Sequence, residues 1–282
     1  MKPSVALLTT PVNPHNDNHL RLPEWFAQAG WSVHVYAHDA LAWRDRVVHC
    51  SDRPAGNFKL IWPIGLGPRA TFADRQELLA QLPPTACINA PASYTTLHGK
   101  SGWLEFAPPS CVASDAEALT EFARQQPGSW VLKPLAGSFG REVHRISAIQ
   151  QIAALVRDAP PQYWLLQRFV DAIELGETRT LICADETIGS YLRRPEEGWQ
   201  TNLARGARAL PTRLEPSNQT LVDRVKERLR FHGVRFAAID TVGGYVMEVN
   251  LANPGGLGTL CDLYGEQAVH QPMLRALRRL AR

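Results

Sequence analysis

The stretch 236-FAAIDTVGGYVMEVNLANPGG-256 decides the fold. It places Asp240 on one apolar strand, a Gly243-Gly244 turn after it, and Glu248 and Asn250 on the next strand. Glu248 and Asn250 are two residues apart, so in a strand both side chains leave the same face. Three oxygen ligands from two adjacent strands suit a Mg²⁺ ion held on a nucleotide's phosphates. The plainer reading is a hairpin with three polar residues at its end. The metal reading carries a geometric condition. Regular pairing around a two-residue turn would set Asp240 opposite Met247 and send Glu248 to the other face. A shared metal therefore predicts an odd loop or a bulge, with a glycine at positive φ.

Upstream, the chain supplies parts that fit such a site. Trp130–Pro134 reads as a strand, followed by a loop holding Gly137, Ser138, Phe139 and Gly140, and then by a returning strand over 141–146 with Val143 buried. Glycines there let backbone N–H groups approach phosphates, and Lys133 on the first strand adds a point positive charge. The pattern G-x-x-x-x-G-K-[ST] is absent and no helix follows the glycines, so this is not a P-loop. Most short glycine loops are only turns. Tyr163–Gln167 is an apolar strand running into Gln167-Arg168-Phe169-Val170, whose free backbone groups could meet a base edge. The segments 178–184 and 187–192 form a hairpin about Asp185-Glu186, preceded by Glu177 and Arg179. Residues 195–206 form a polar loop containing Asn202 and Arg205. Ser217–His232 has the apolar face Leu221, Val222, Val225 and Leu229 of a helix, with Gly233 to end it. Ser114–Glu117 and Ser147–Gln150 each read as a capping box at a helix start.

The N-terminal region begins strand, helix, strand: 4–9, 20–29 with Gly30 at its end, then 31–36 with Val33 and Val35 on one face. This βαβ start predicts an α/β protein with a parallel sheet. Its first loop makes His15, Asn18 and His19 substrate candidates, because ligands gather at the carboxyl ends of parallel strands. A polar connection capping the helix is the plainer reading of each. Loops surround one short strand, 58–62; a helix near 72–82 stops at Pro83-Pro84, and 87–89 reads as a short strand. A boundary is placed at residue 96.

Composition narrows the field. The chain has 282 residues, 45% hydrophobic and 20% charged, enough for two domains with a sizeable core. A net charge of +3 gives no argument for nucleic acid. Arg275, Arg278, Arg279 and Arg282 read as a solvated basic helix face. Five dispersed cysteines without C-x-x-C fit reduced thiols in a cytoplasmic protein. No apolar run reaches the roughly 20 residues of a membrane span.

Four segments in this order, LKPLAGSFG, QRFVDAIELGETR, NLARGA and AIDTVGGYVMEVNLANPGG, resemble the ATP-grasp ligases. Among them the bacterial glutathione synthetases are most similar, with the ribosomal-protein glutamate ligases as second relatives. The resemblance implies an ATP-grasp fold with α+β character in the C-terminal half and a pre-ATP-grasp N-terminal domain over 1–96. The ATP-grasp domain would cover 97–282, divided into a lid at 97–168 and a catalytic part at 169–282. It implies ATP, probed by Lys100, Lys133, Glu177, the 137–140 loop and the hinge 167–170. It also implies two Mg²⁺ ions (Mn²⁺ as the alternative) on Asp240, Glu248 and Asn250. Arg179, Arg205 and Asn202 fall near the reacting groups, and Asn253, Pro254, Gly255 and Gly256, with Asn18, where substrate would lie. The expected activity is joining a carboxylate to an amine through an acyl phosphate. Small amino acids or peptides serve as substrates, in a homo-oligomer, without nucleic acid or membrane. A ligase for protein tails and a non-catalytic ATP-binding regulator remain open. One departure stands out: Gln200 replaces the arginine of the family's Arg-x-Asn-Leu, and Arg205 is positioned to substitute in part.

Overall fold

The computed structural model describes residues 2–10, 16–137 and 142–282. β1 (Ser4–Thr9), α1 (Asn18–Gln28) and β2 (Ser32–Ala37) form the expected βαβ unit, and Gly30 ends the helix region at φ +97°. Leu41–Pro54 adds a small antiparallel sheet that no glycine turn or apolar run announces: β3 (Leu41–Arg44), β4 (Val47–Cys50) and β5 (Arg53–Pro54). β6 (Leu60–Pro63) then pairs in parallel with β1, giving the order β2-β1-β6. Strand β1 is central, so both faces are covered. Val5 and Leu7 face α1, while Ala6 and Leu8 face the side of β3–β5. β2 is an edge strand, and its Val35 is 52% exposed. After α2 (Phe72–Ala80), Cys87 makes a single parallel bridge to Ile61 in place of the expected strand. The short α3 (Ser93–Thr96) follows.

The second sheet comprises β7 (Ser110–Ala113), β8 (Trp130–Pro134), β9 (His144–Ile146) and β10 (Trp164–Arg168), in the order β7-β10-β8-β9. It is antiparallel and covered on one side by α4 (Ala116–Gln125) and α5 (Gln150–Arg157). Leu119, Ile152, Trp130, Leu132, Trp164 and Leu166 close its core. Both capping boxes are shifted by a residue. Asp115, not Ser114, is the N-cap of α4, accepting from the Ala118 N–H at 2.9 Å. At α5 it is Gln151, not Gln150, whose Oε1 accepts from the Ser147 N–H at 2.9 Å.

The third sheet contains β11 (Glu177–Cys183), β12 (Glu186–Arg194), β13 (Arg208–Pro211), β14 (Phe236–Val242) and β15 (Tyr245–Asn250). Its order is β13-β12-β11-β14-β15, all antiparallel. Strand β13 is unforeseen. The β11–β12 turn is Ala184-Asp185, one residue before the expected position, with φ of +45° and +70°. α6 (Pro216–Phe231) buries Leu221, Val222, Val225 and Leu229 as its pattern predicts. α7 (Leu257–Tyr264) and α8 (Glu266–Leu280) pack on the opposite face. Every residue of β14 is buried. Phe236 and Ala238 join the core shared with β1, α1 and α8, whereas Ala237 and Ile239 face α6. One core thus spans the first and third sheets, while the second sheet has its own. No helix among the described residues is long and apolar enough to cross a membrane.

Candidate active site

The hairpin β14–β15 meets the geometric condition set by its sequence. Gly243 and Gly244 form a two-residue turn with φ of +54° and +83°. Val242 pairs with Tyr245 and Thr241 with Val246; the register then shifts and Asp240 pairs with Glu248. Met247 is the extra residue. This bulge brings Asp240 and Glu248 to one face directly across from each other, and Asn250, opposite Ala238, shares that face. The expectation of an odd loop or a bulge is met by the bulge.

A cross-strand row extends from this pair. Glu248 lies opposite Asp240, Asp240 opposite Arg179, and Arg179 opposite Tyr191. Neighbouring strands are about 4.8 Å apart, so the row puts Arg179 within reach of Asp240 and sets the two carboxylates side by side. Arg179 grips Asp240 with two bonds, Nε to Oδ1 at 2.8 Å and Nη2 to Oδ2 at 2.7 Å. Arg193 adds a third contact to Asp240 at 2.9 Å and also holds Glu177 at 2.5 Å. Glu177 accepts from Thr201 Oγ1 as well. Among the described residues Arg179 makes no ion pair with Glu177 or Glu174; Glu174 lies by Arg145.

These pairs set the charges. Burial alone would raise the Asp240 carboxyl, but Arg179 and Arg193 outweigh it and hold Asp240 below its ordinary range. Burial dominates at Glu177 and pushes its carboxyl up despite Arg193. Glu248 is held low because Lys100 offsets its burial. Lys100 Nζ donates to Glu248 Oε1 and to the Gly137 carbonyl, each at 3.0 Å. Lys133 Nζ donates to Gln167 Oε1 at 3.0 Å, and burial, aided by Lys100, brings its ammonium down to about 8.

A cleft opens between the second and third sheets. Lys100, Lys133, Glu177, Arg193, Met247 and Glu248 are among its walls, with Gly137 on the lid side and Trp199 to Asn202 on the loop side. Gln200 and Asn202 reach the cleft. Arg205 does not line it; the residue is exposed and donates to Gln200 Oε1 at 3.1 Å. Ser138, Phe139 and Gly140 lie outside the described residues, as does His15. In the hinge, Gln167 contributes its side chain, while its backbone runs between β7 and β8. The Arg168 side chain turns away toward Gln126. Phe169 packs against Trp199 and under the Arg145 guanidinium. Val170 sits beside Gly243.

The loop 253–256 lies over the third sheet. The Gly255 carbonyl accepts from Arg179 at 3.2 Å. Gly256 has φ +135°, and a Cβ there would come within 2.9 Å of Leu181 and 3.0 Å of Tyr191, so only glycine fits. Asn18 is fully buried and donates to Asn253 Oδ1 at 2.7 Å and to the Pro254 carbonyl at 3.0 Å. It therefore braces this loop from the N-terminal region. The buried His19 Nδ1 has no hydrogen-bond partner among the described residues.

Arg193 is the site residue that the sequence reading missed. A bulge at Ile188, before Gly189 and across from Leu181-Ile182 on the partner strand, sets it opposite Glu177. Regular pairing from the Ala184-Asp185 turn would have put Leu192 there. A carboxylate facing leucine on a buried strand face was the available signal.

This arrangement of a glycine-loop sheet over a charged antiparallel sheet is the ATP-grasp architecture, and solved structures agree. The ATP-grasp ligase PsnB complexed with minimal precursor, Mg and ADP superposes with a TM-score of 0.70 at 16% identity, covering 99% of this chain and 97% of that one. The RimK domain protein ATP-grasp from Sphaerobacter thermophilus gives 0.68 at 19%, covering 98% of each. At sequence level, residues 100–265 match the profile described as prokaryotic glutathione synthetase, ATP-grasp domain. The glutathione synthetase of Prochlorococcus marinus (strain MIT 9313) is 31% identical over 237 residues, 79% of this chain and 76% of that protein. That of Parasynechococcus marenigrum (strain WH8102) is 32% identical over 196 residues, 67% of this chain and 64% of that protein. The chain belongs to the prokaryotic glutathione synthetase ATP-grasp family, whose members are carbon–nitrogen ligases using ATP and Mg²⁺.

Proposed function

We propose that this protein joins the carboxylate of an amino acid or small peptide to an amine through an acyl phosphate. The observation that carries the reading is the Asp240–Glu248 pair on one sheet face, ringed by Lys100, Lys133, Arg179 and Arg193. Two carboxylates held ionised, with Asn250 two residues along on the same strand face, are the hard oxygen donors that Mg²⁺ takes. Bound there, Mg²⁺ would neutralise charge on the nucleotide phosphates.

The chain's own groups do the rest. Lys133 and Lys100 attract the phosphates from the lid side, and Phe169 with Val170 offers the hinge for the base. A substrate carboxylate oxygen attacks the terminal phosphorus, and ADP leaves with the electron pair of the broken bond. The amine then attacks the acyl carbon, loses a proton, and expels phosphate. Arg179 and Arg193 offset the negative charge that builds on the acyl phosphate and on the tetrahedral adduct. The loop 253–256, braced by Asn18, positions the acceptor. Gln200 and Asn202 supply neutral hydrogen-bonding groups beside the transfer path. No protein nucleophile is required, which leaves the five cysteines without a catalytic role.

The test is a screen for phosphate release from ATP over pairs of amino acids and dipeptides, starting with γ-glutamylcysteine and glycine. Release that requires both organic substrates supports the reading. Tight ATP binding with no turnover on any pair favours a non-catalytic ATP-binding regulator. Turnover only with a peptide acceptor favours a tail ligase; the exchange of arginine for Gln200 lends its weight to the regulator instead.

A further inference from the structure

A second groove lies at the opposite end of β14 from the glycine turn. From Phe236, where the strand begins beside this groove, Asp240 is roughly 13 Å away along the backbone. The groove runs between the start of β1, the loop before β6 and the C-terminal ends of α6 and α8, and encloses about 1490 Å³. Its cations are Lys2, Lys59, Arg230, Arg235, Arg279 and Arg282, against one acidic side chain, Asp185. Arg279 is paired with Glu186 at 2.6 Å. The other five have no ion-pair partner among the described residues. Arg235 is half-buried, and that burial holds its guanidinium below the ordinary value. The lining is also apolar in part: Phe58 is buried in it, and Phe231 on its wall is 86% exposed.

Unpaired like charges repel, and a low-dielectric groove of one sign concentrates the field of its charges. An exposed phenylalanine beside them, in edge contact with the His232 ring, offers an anchor. We propose that this groove docks an extended acidic segment of a partner polypeptide. Its carboxylates would meet Lys59, Arg230 and Arg235, and an apolar side chain would cover Phe231. The volume exceeds the roughly 300–1,000 Å³ of small-molecule sites, which favours a chain segment over a metabolite. Nucleic acid is disfavoured, because the chain as a whole carries only +3 and the positive charge is local. A second copy is disfavoured too: no three consecutive acidic residues occur anywhere in the sequence. None of these groups lies in the nucleotide cleft, so the proposal stands apart from the ligase reading.

The experiment is fluorescence anisotropy with a labelled peptide of repeated Glu-Asp-Leu units, and with its Gln-Asn-Leu counterpart, at low and moderate salt. The expected result is saturable binding of the acidic peptide alone, weakened by salt. The exposed pair Lys59→Glu and Arg230→Glu should weaken it at least about tenfold, and Phe231→Ala by roughly threefold to tenfold. Nucleotide binding by each variant should match wild type, which verifies folding. Equal binding of the neutral peptide, or undiminished binding by a folded Lys59→Glu/Arg230→Glu protein, overturns the proposal. So does a single-stranded oligonucleotide that binds more tightly than the peptide and is lost in the same variant.

Discussion

The two sheets that face each other across the cleft hold their charges in different ways. On the third sheet, Glu177, Arg179, Arg193 and Asp240 form a buried, mutually bonded group on a sheet that shares its core with β1, α1 and α8. On the second sheet, Lys133 rests on the neutral amide of Gln167, and the sheet closes its core on α4 and α5 alone. Among the described residues, Lys100 joins Glu248 to the Gly137 carbonyl across the cleft, and Trp199 meets Phe169. One wall is thus preorganised and costly to disturb, while the other can move over a ligand by exchanging a handful of contacts.

The sharpest way to break this contrast is Asp240→Ala. It strands two buried guanidinium groups, and removing one partner of a buried ion pair costs about 3–5 kcal/mol. A fall in Tm on the order of 10 °C is expected by calorimetry. An unchanged Tm would show that the third-sheet wall is not held by these pairs.

Lys133→Met should act on the other wall, weakening ATP binding by about 1.5–3 kcal/mol, roughly tenfold to a hundredfold, with no loss of fold by circular dichroism. Titration calorimetry checks it, and normal affinity would remove Lys133 from the nucleotide site. The same residue gives a pH signature. Its ammonium titrates at about 8, so it is charged at neutral pH and loses that charge as pH rises through 8. ATP affinity should therefore fall by up to about tenfold over the next pH unit. Lys133→Met should show no such fall, and a parallel decline in the variant would assign the effect to another group. The smallest effect is expected for Arg205→Ala, about 0.5 kcal/mol or less, because the residue is exposed outside the cleft. A hundredfold loss of turnover would mean that the 195–206 loop carries Arg205 inward during the reaction.

Much of the third-sheet wall was readable in the sequence because its constraints are local. Two glycines fix the β14–β15 turn, two-residue spacing fixes the face of Glu248 and Asn250, and Gly233 ends α6. The need for Asp240 and Glu248 to share a face even foretold a bulge. Other features had no such marker. The turn between β3 and β4 uses Asp45 and Arg46 at φ of +50° and +68°, without the glycine that usually announces a hairpin. Val35 alternates correctly, but alternation does not reveal that β2 is an edge. Arg193 was hidden by a bulge, and Arg205 was placed near the reaction by its family position when its side chain stays outside. The Asp115 and Gln151 caps show a one-residue limit on reading helix starts.

The account rests on Asp240 and Glu248 binding one divalent cation, and metal binding itself tests that without knowledge of the substrates. Bound Mn²⁺ can be counted by electron paramagnetic resonance in the presence of ADP, in wild type and in Glu248→Gln. The substitution barely alters size but removes one of two carboxylates from a hard-cation site. The predicted result is folded protein whose Mn²⁺ affinity is weakened at least about tenfold, a loss of about 1.4 kcal/mol or more. Wild-type Mn²⁺ affinity in a folded Glu248→Gln protein would contradict the metal site and the mechanism built on it.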